Sequence, residues 1–266
     1  MAAVVAAAVV PTESTVGDLF LKPRRFHASP HYAVRIALFS GAFESSERAL
    51  SWDDAEAVLT VTPTGIEHPT RERWRTYDDR SELRLRTGDP GTYVIGVSTR
   101  SDTVRLGADA FDRFLVAEGL SAFLEDRPRR GDFGRPAVVR QSTHAKTLLQ
   151  VGDERTPEYA SVLGQAAELV PLANPYELRG GDTLAVRAMV DGRPVPNLVL
   201  TAGGRSVADT TLTAVRILTD ADGVGRVPLR SGGEWYVKVL WVAPLDGDSV
   251  AGYESRRATL TFHVQG

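Results

Sequence analysis

LGQAAELVPLANPYELRGGDTLAVRAMVDGRPVPNLVLTA, residues 163–202, is the stretch on which the fold turns. Its first half is punctuated by Pro171, Asn174 and Pro175. Proline biases the residue before it away from the helical region, so this half reads as a hinge. Gly180-Gly181-Asp182 then makes a turn. After it, Leu184, Val186 and Ala188 fall on one side and Thr183, Ala185 and Arg187 on the other. That period of two marks a strand with one buried face. Asp191-Gly192 is a hairpin dipeptide, and Leu198 to Leu200 begins the return strand.

Working outward, the chain divides into three. Residues 1–16 read as a signal or disordered segment, 17–170 as an N-terminal β-sandwich domain with a helix, and 171–266 as a C-terminal immunoglobulin-like β-sandwich domain. Ala2 to Val10 is wholly apolar. It is too short to span a bilayer, but Ala6 and Ala8 suit the small-residue cleavage region of a secretory signal. The expectation is export, to the periplasm or beyond.

The N-terminal part alternates like the C-terminal part. Val34, Ile36 and Leu38 share one face of a strand, and Leu83 and Leu85 share a face of another. Two segments place a glycine turn directly before an aromatic strand opening: Pro90-Gly91-Thr92-Tyr93-Val94 and Gly232-Gly233-Glu234-Trp235-Tyr236. Immunoglobulin-like sandwiches use such tyrosine corners. Only from Ala108 to Glu125 does the period change. Phe111, Phe114, Leu115, Leu120, Phe123 and Leu124 recur at three and four, the pattern of an amphipathic helix. Gly119 weakens its middle and divides it into two short helices. The expected fold class is therefore all-β, mainly, with two immunoglobulin-like sandwiches and one amphipathic helix in the first.

Composition narrows the function. Acidic and basic residues nearly balance at net charge −3, so no general field for nucleic acid is implied. The chain has no cysteine, which excludes disulfides, thiolate metal sites and cysteine nucleophiles. The serine nucleophile elbow, the phosphate-cradling glycine loop with lysine, the zinc-protease helix and the dinucleotide fingerprint are all missing from the sequence. The expectation is a protein that is not an enzyme.

Metal chemistry then falls to histidine and carboxylate. His27 and His31 are four apart, which on a strand puts them on one face, and Pro30 between them disfavours a helical pair. Imidazole binds nickel, cobalt, copper and zinc. His144 completes a candidate metal set of His27, His31 and His144; the alternative is that these are surface and turn histidines. His263 lies between Phe262 and Val264 and is expected to point away from the core, into solvent. Asp220-Ala221-Asp222-Gly223 resembles the start of a calcium loop, but Ser231 stands where its twelfth ligand would be glutamate. A hairpin turn is the better reading. Trp52, Trp74, Trp235 and Trp241 form either a sugar-stacking row or core.

Several stretches carry a family likeness: Asp18-Leu19-Phe20-Leu21-Lys22-Pro23, the run Phe114 to Leu120, the run Ala145 to Gly152, Glu168 to Tyr176, Gly233-Glu234-Trp235 and Ala258 to Phe262. Together they resemble a family of unknown function described as periplasmic components of nickel or cobalt transport, NikM-like. The resemblance implies an exported accessory to divalent-metal uptake. Its ligand would be nickel or cobalt, and its partner a membrane transport component or an envelope protein. The balanced charge implies no nucleic-acid partner, and the apolar Ala2–Val10 run is too short to span a membrane, so no span is expected in the mature chain. Two positions depart from the family pattern. Gly17 stands where a histidine is usual, and Val239-Leu240-Trp241-Val242 lacks a second one. The reading from another class is a structural or adhesive envelope module that binds protein or glycan.

Overall fold

The computed structural model describes residues 17–266. The expected signal segment and its cleavage region lie outside the described residues. In chain order the first strands are β1 (Asp18–Pro23), β2 (His27–Ala28), β3 (Ala33–Gly41), β4 (Ser46–Arg48), β5 (Ala55–Thr62), β6 (Gly65–Glu67) and β7 (Trp74–Thr76). Next come β8 (Ser81–Arg86), β9 (Gly91–Thr99), β10 (Asp102–Leu106), the helices α1 (Ala108–Ala117) and α2 (Ser121–Asp126), and β11 (Ala137–Val151). The remainder is β12 (Ala167–Pro171), β13 (Thr183–Val190), β14 (Arg193–Pro194), β15 (Val199–Ser206), β16 (Thr211–Leu218), β17 (Val224–Pro228), β18 (Gly233–Pro244) and β19 (Tyr253–Val264). This is the expected all-β sandwich architecture.

One long sheet runs β16-β15-β18-β19-β11-β9-β5-β6. Two smaller sheets cover it: β1-β3-β8-β7 with β4 on β3, and β12-β13-β14 with β17 on β13. Alternation on the long sheet decides which cover lies where. On β11, Ala145, Leu149 and Val151 join Leu21, Ile36, Leu38 and Leu83 of the first cover. Leu148 points the other way, into a core with Leu169, Val186 and Leu260. Successive side chains of a strand point to opposite faces. The two small sheets therefore sit on opposite faces of the long one, giving three staggered layers.

The strand β11 carries this arrangement. It pairs in parallel with β19 from Val139↔Tyr253 to Thr147↔Thr261, and β2 takes over the same edge at Gln150↔His27. The ladder joins the two halves of the chain into one sheet, while their cores stay largely separate. The first core draws only on residues before the 163–175 stretch. The second draws on Ala167 and Leu169 within it and on residues after it, with Phe26, Val94 and Leu148 added. The stretch expected as a hinge contains β12, which pairs with β13 up to Pro171↔Val186. A division at 170/171 thus falls inside a strand of the C-terminal sheet. Its backbone groups are in a ladder because Ala167 and Leu169 are buried in the second core.

Two devices lock the layers. The free edge of β1 is covered, since Thr259 and Thr261 of β19 donate their hydroxyls to the Leu19 and Leu21 carbonyls. An exposed row of such carbonyls would invite another chain. On the opposite face, Lys146 of β11 is fully buried and donates to Glu168 of β12 and to the Ser161 carbonyl. Glu168 also accepts from the Leu163 and Gly164 amides, pinning the connection into β12. Burial lowers the Lys146 pKa, and the Glu168 carboxylate pulls the other way.

The helical segment divides as expected, with Gly119 at φ 80 between the helices. Phe111 and Leu115 pack on Val139 and Tyr253, on the same face of the long sheet as β1. There Arg257 bridges Asp18 of β1 and Glu118 at the end of α1.

Candidate functional site

The structure does not bring His27, His31 and His144 together. His144 stands six residues before Gln150 on β11, and His27 is level with Gln150. At ~3.3 Å per residue that separates them by roughly 20 Å along the strand. His144 is also buried, at 2% exposure. Its Nδ1 meets Ser98 Oγ at 2.9 Å and its Nε2 meets Ser142 Oγ at 3.1 Å, so both nitrogens are engaged. Burial, with a smaller push from Arg256, lowers its pKa to about 4. His31 is exposed, at φ 56 in the turn before β3. It leaves the face His27 occupies because β2 ends at Ala28 and the chain turns at Pro30. Among the described residues no group of three or more histidine, aspartate or glutamate side chains is placed to hold a metal ion.

A different histidine does meet His27. The His27 and His263 rings lie 5.3 Å apart at 85°, and Tyr176 approaches His27 at 5.0 Å. Desolvation lowers the pKa of both histidines. For His27 the neighbouring His263 and Arg155 add to the effect, and Asp153 opposes it. For His263 only Glu234 opposes it. His263 Nδ1 is buried without a partner. The expectation that His263 points into solvent thus needs correction. It is half-buried, packed on Phe26 and His27, because β2 lies beside the end of β19. Nothing in the local sequence announces that pairing.

A concavity runs over the outward residues of β3 towards β2 and the turn after β11. One groove of about 1230 Å³ is lined by Arg24, Arg25, His27, Tyr32, Arg35 and Asp153, among others. A second of about 610 Å³ continues it and shares Arg24 and Arg35. The residues follow from the strand register. Val34 and Ile36 point into the core, so Ala33, Arg35 and Ala37 must point out. Arg35 is directly opposite Arg84 of β8, and the Arg24 amide donates to the Arg35 carbonyl. Arg24, directly after β1, Arg35 of β3 and Arg84 of β8 therefore stand in a row. Arg84 donates to the Tyr77 hydroxyl at 2.9 Å and is 3.8 Å from Glu82. Its Nε is buried and unpartnered. Arg24, Arg25 and Arg35 are exposed, and among the described residues no carboxylate pairs with them.

Carboxylates line the second groove. Lys22 bridges Glu44 at 3.1 Å and Glu234 at 2.7 Å, and Arg205 also binds Glu44. The Arg205 hydrogen bond is the main cause that holds the Glu44 carboxyl below its ordinary pKa. Tyr32 is 62% exposed and Tyr77 is 38% exposed, at the two ends of this surface. The tryptophans do not form a surface row. Trp74 and Trp235 are buried, Trp52 packs on Trp74, and Trp241 carries Arg256 on its face. The Asp220 carboxylate accepts from the Asp222 and Val224 amides, as the hairpin-turn reading expects.

Fold and surface together define a layered β-sandwich with an open arginine-lined groove on one cover sheet. The chain belongs to the DUF4198 family, a domain of unknown function, which matches residues 18–243. No curated protein matches it. Three solved structures resemble it at low overlap. The Escherichia coli adhesin FdeC shares 11% identity over 95% of this chain and 67% of that one, with a TM-score of 0.23. The BSP domain of a biofilm associated protein shares 10% over 92% and 29%, with a TM-score of 0.20. Native alpha-2-macroglobulin from Escherichia coli, spanning domains MG0-NIE-MG1, shares 11% over 94% and 71%, with a TM-score of 0.20. At these TM-scores the likeness carries no inference about function.

Proposed function

We propose that the chain is an exported, non-enzymatic binding module of the cell envelope, and that it holds its ligand in the groove on the outer face of the β1-β3-β8-β7 sheet. One observation carries this: Arg24, Arg25 and Arg35 are gathered there, exposed and without carboxylate partners, on a surface wider than a small-molecule pocket. Like charges directly opposite across strands are destabilising, as Arg35 and Arg84 are here. Binding offers a reason to keep them. The apolar Ala2–Val10 segment supports the export part of the proposal. Probing an array of envelope glycans and purified envelope proteins with the full chain tests it. Binding that disappears in Arg24→Glu/Arg35→Glu is the expected result. Ligands bound equally by that variant would remove the groove from the account.

A second reading keeps nickel or cobalt, and the observation favouring it is the His27–His263 contact. Both rings are held towards the neutral form that ligates metal, and His263 Nδ1 has no other partner. Two imidazoles give weak binding. Calorimetric titration with nickel and cobalt should show saturable heat that His263→Ala abolishes; no heat in the parent protein removes this reading.

A further inference from the structure

We propose that the ligand of the groove is an acidic polysaccharide, whose carboxylate-bearing sugars lie across Arg24 and Arg35 with a sugar face against Tyr32. This rests on the groove being the binding surface. The shape comes first. The two concavities share Arg24 and Arg35, so the surface is one continuous trough from Tyr32 and Asp153 at one end to Tyr77 and Glu82 at the other. A trough suits an extended chain better than a compact molecule.

The charge pattern selects among extended chains. Arg24, directly after β1, and Arg35 of β3 both line the trough and are backbone-paired neighbours, about 4.8 Å apart in the pairing direction. The guanidinium fork matches carboxylate geometry bidentately. Asp153, Glu44, Glu82 and Glu234 are interspersed along the same trough. Carboxylates accept hydrogen bonds from sugar hydroxyls, but they repel the unbroken phosphate row of a nucleic acid or an anionic membrane face. The exposed Tyr32 ring supplies an apolar face with a polar rim, which a sugar ring can cover.

Isothermal titration of the full chain with hyaluronan oligomers of defined length, whose carboxylate sugars alternate with neutral ones, tests the inference, with maltodextrin of equal length as the neutral control. The acidic oligomer should bind saturably and weaken as salt rises from about 50 mM to about 500 mM. Maltodextrin should not bind. Arg24→Glu/Arg35→Glu should weaken binding by about tenfold or more. Both changes are on exposed positions, and unfolding curves confirm that the variant folds. Tyr32→Ala should weaken binding without altering its salt dependence. No binding by the acidic oligomer, or equal binding by the variant, overturns the inference. So does tighter binding of duplex DNA or of anionic phospholipid vesicles. A neutral glycan or an envelope protein that binds the parent but not the arginine variant overturns the acidic ligand class and leaves the groove standing. Binding of all these probes undiminished in the variant overturns both.

Discussion

His144 makes the fold sensitive to mild acid, by an amount the structure sets. The folded protein holds its imidazole neutral, with one ring nitrogen donating and the other accepting between Ser98 and Ser142. The pKa falls from the ordinary 6.5 to about 4, chiefly through burial. The unfolded chain, with its ordinary pKa, therefore binds one more proton between those values. Stability is complete above the upper value, falls as pH drops through the window, and has lost the whole contribution below about 4. At about 1.4 kcal/mol per pH unit the loss is about 3 kcal/mol. His27 and His263 shift in the same direction, so the contribution of His144 is isolated by comparison with His144→Gln. Urea unfolding at half-unit pH steps from about 4 to about 7.5 gives both curves. The parent should lose more stability with acid, with the gap between the curves changing by about 3 kcal/mol. Parallel curves, or a His144 titration by NMR near 6.5, would refute the reasoning.

Three further outcomes follow from the packing. Lys146→Met strands the Glu168 carboxylate in the interior and should cost about 3–5 kcal/mol by chemical unfolding; the double variant Lys146→Met/Glu168→Leu should recover much of that loss. Gly233→Ala should cost about 2 kcal/mol or more in the same assay, because φ is 135 and a Cβ would stand 2.2 Å from the Arg205 carbonyl oxygen. A chain of residues 166–266 keeps β12 against β13, and one of residues 176–266 does not. Calorimetry should show cooperative unfolding for the first and not for the second, and the reverse order would contradict the placement of β12 in the C-terminal sheet.

Strands with one solvated face were legible in the sequence. Leu184, Val186 and Ala188 alternate, and all three are buried. The break at Gly119 and the turn glycines Gly91 and Gly233, with φ 149 and 135, were legible for the same reason: local sterics decide them. The strand β11 was harder, because both of its faces are covered. His144, Lys146 and Gln150 are polar, yet each is buried against partners distant in sequence, respectively Ser98, Glu168 and Thr92. His144 entered the candidate metal set as a third imidazole, and nothing local shows that Ser98 and Ser142 already hold both of its nitrogens. Likewise Pro171 and Pro175 read as a hinge because proline statistics are local, whereas the pairing of β12 with β13 is not. The groove left no trace as a motif. Arg35 and Arg84 are outward residues of separate strands, and only the register of β3 on β8 makes them neighbours.

Hydrogen exchange, read by mass spectrometry on the full chain with and without an array-selected glycan or protein, tests the location of binding most directly. The ligand should slow exchange in residues 24–35 and 77–82, which line the groove, and leave the β15–β16 edge unchanged. Protection confined to β15 and β16, or to the helices α1 and α2, would contradict the assignment of the groove as the binding surface.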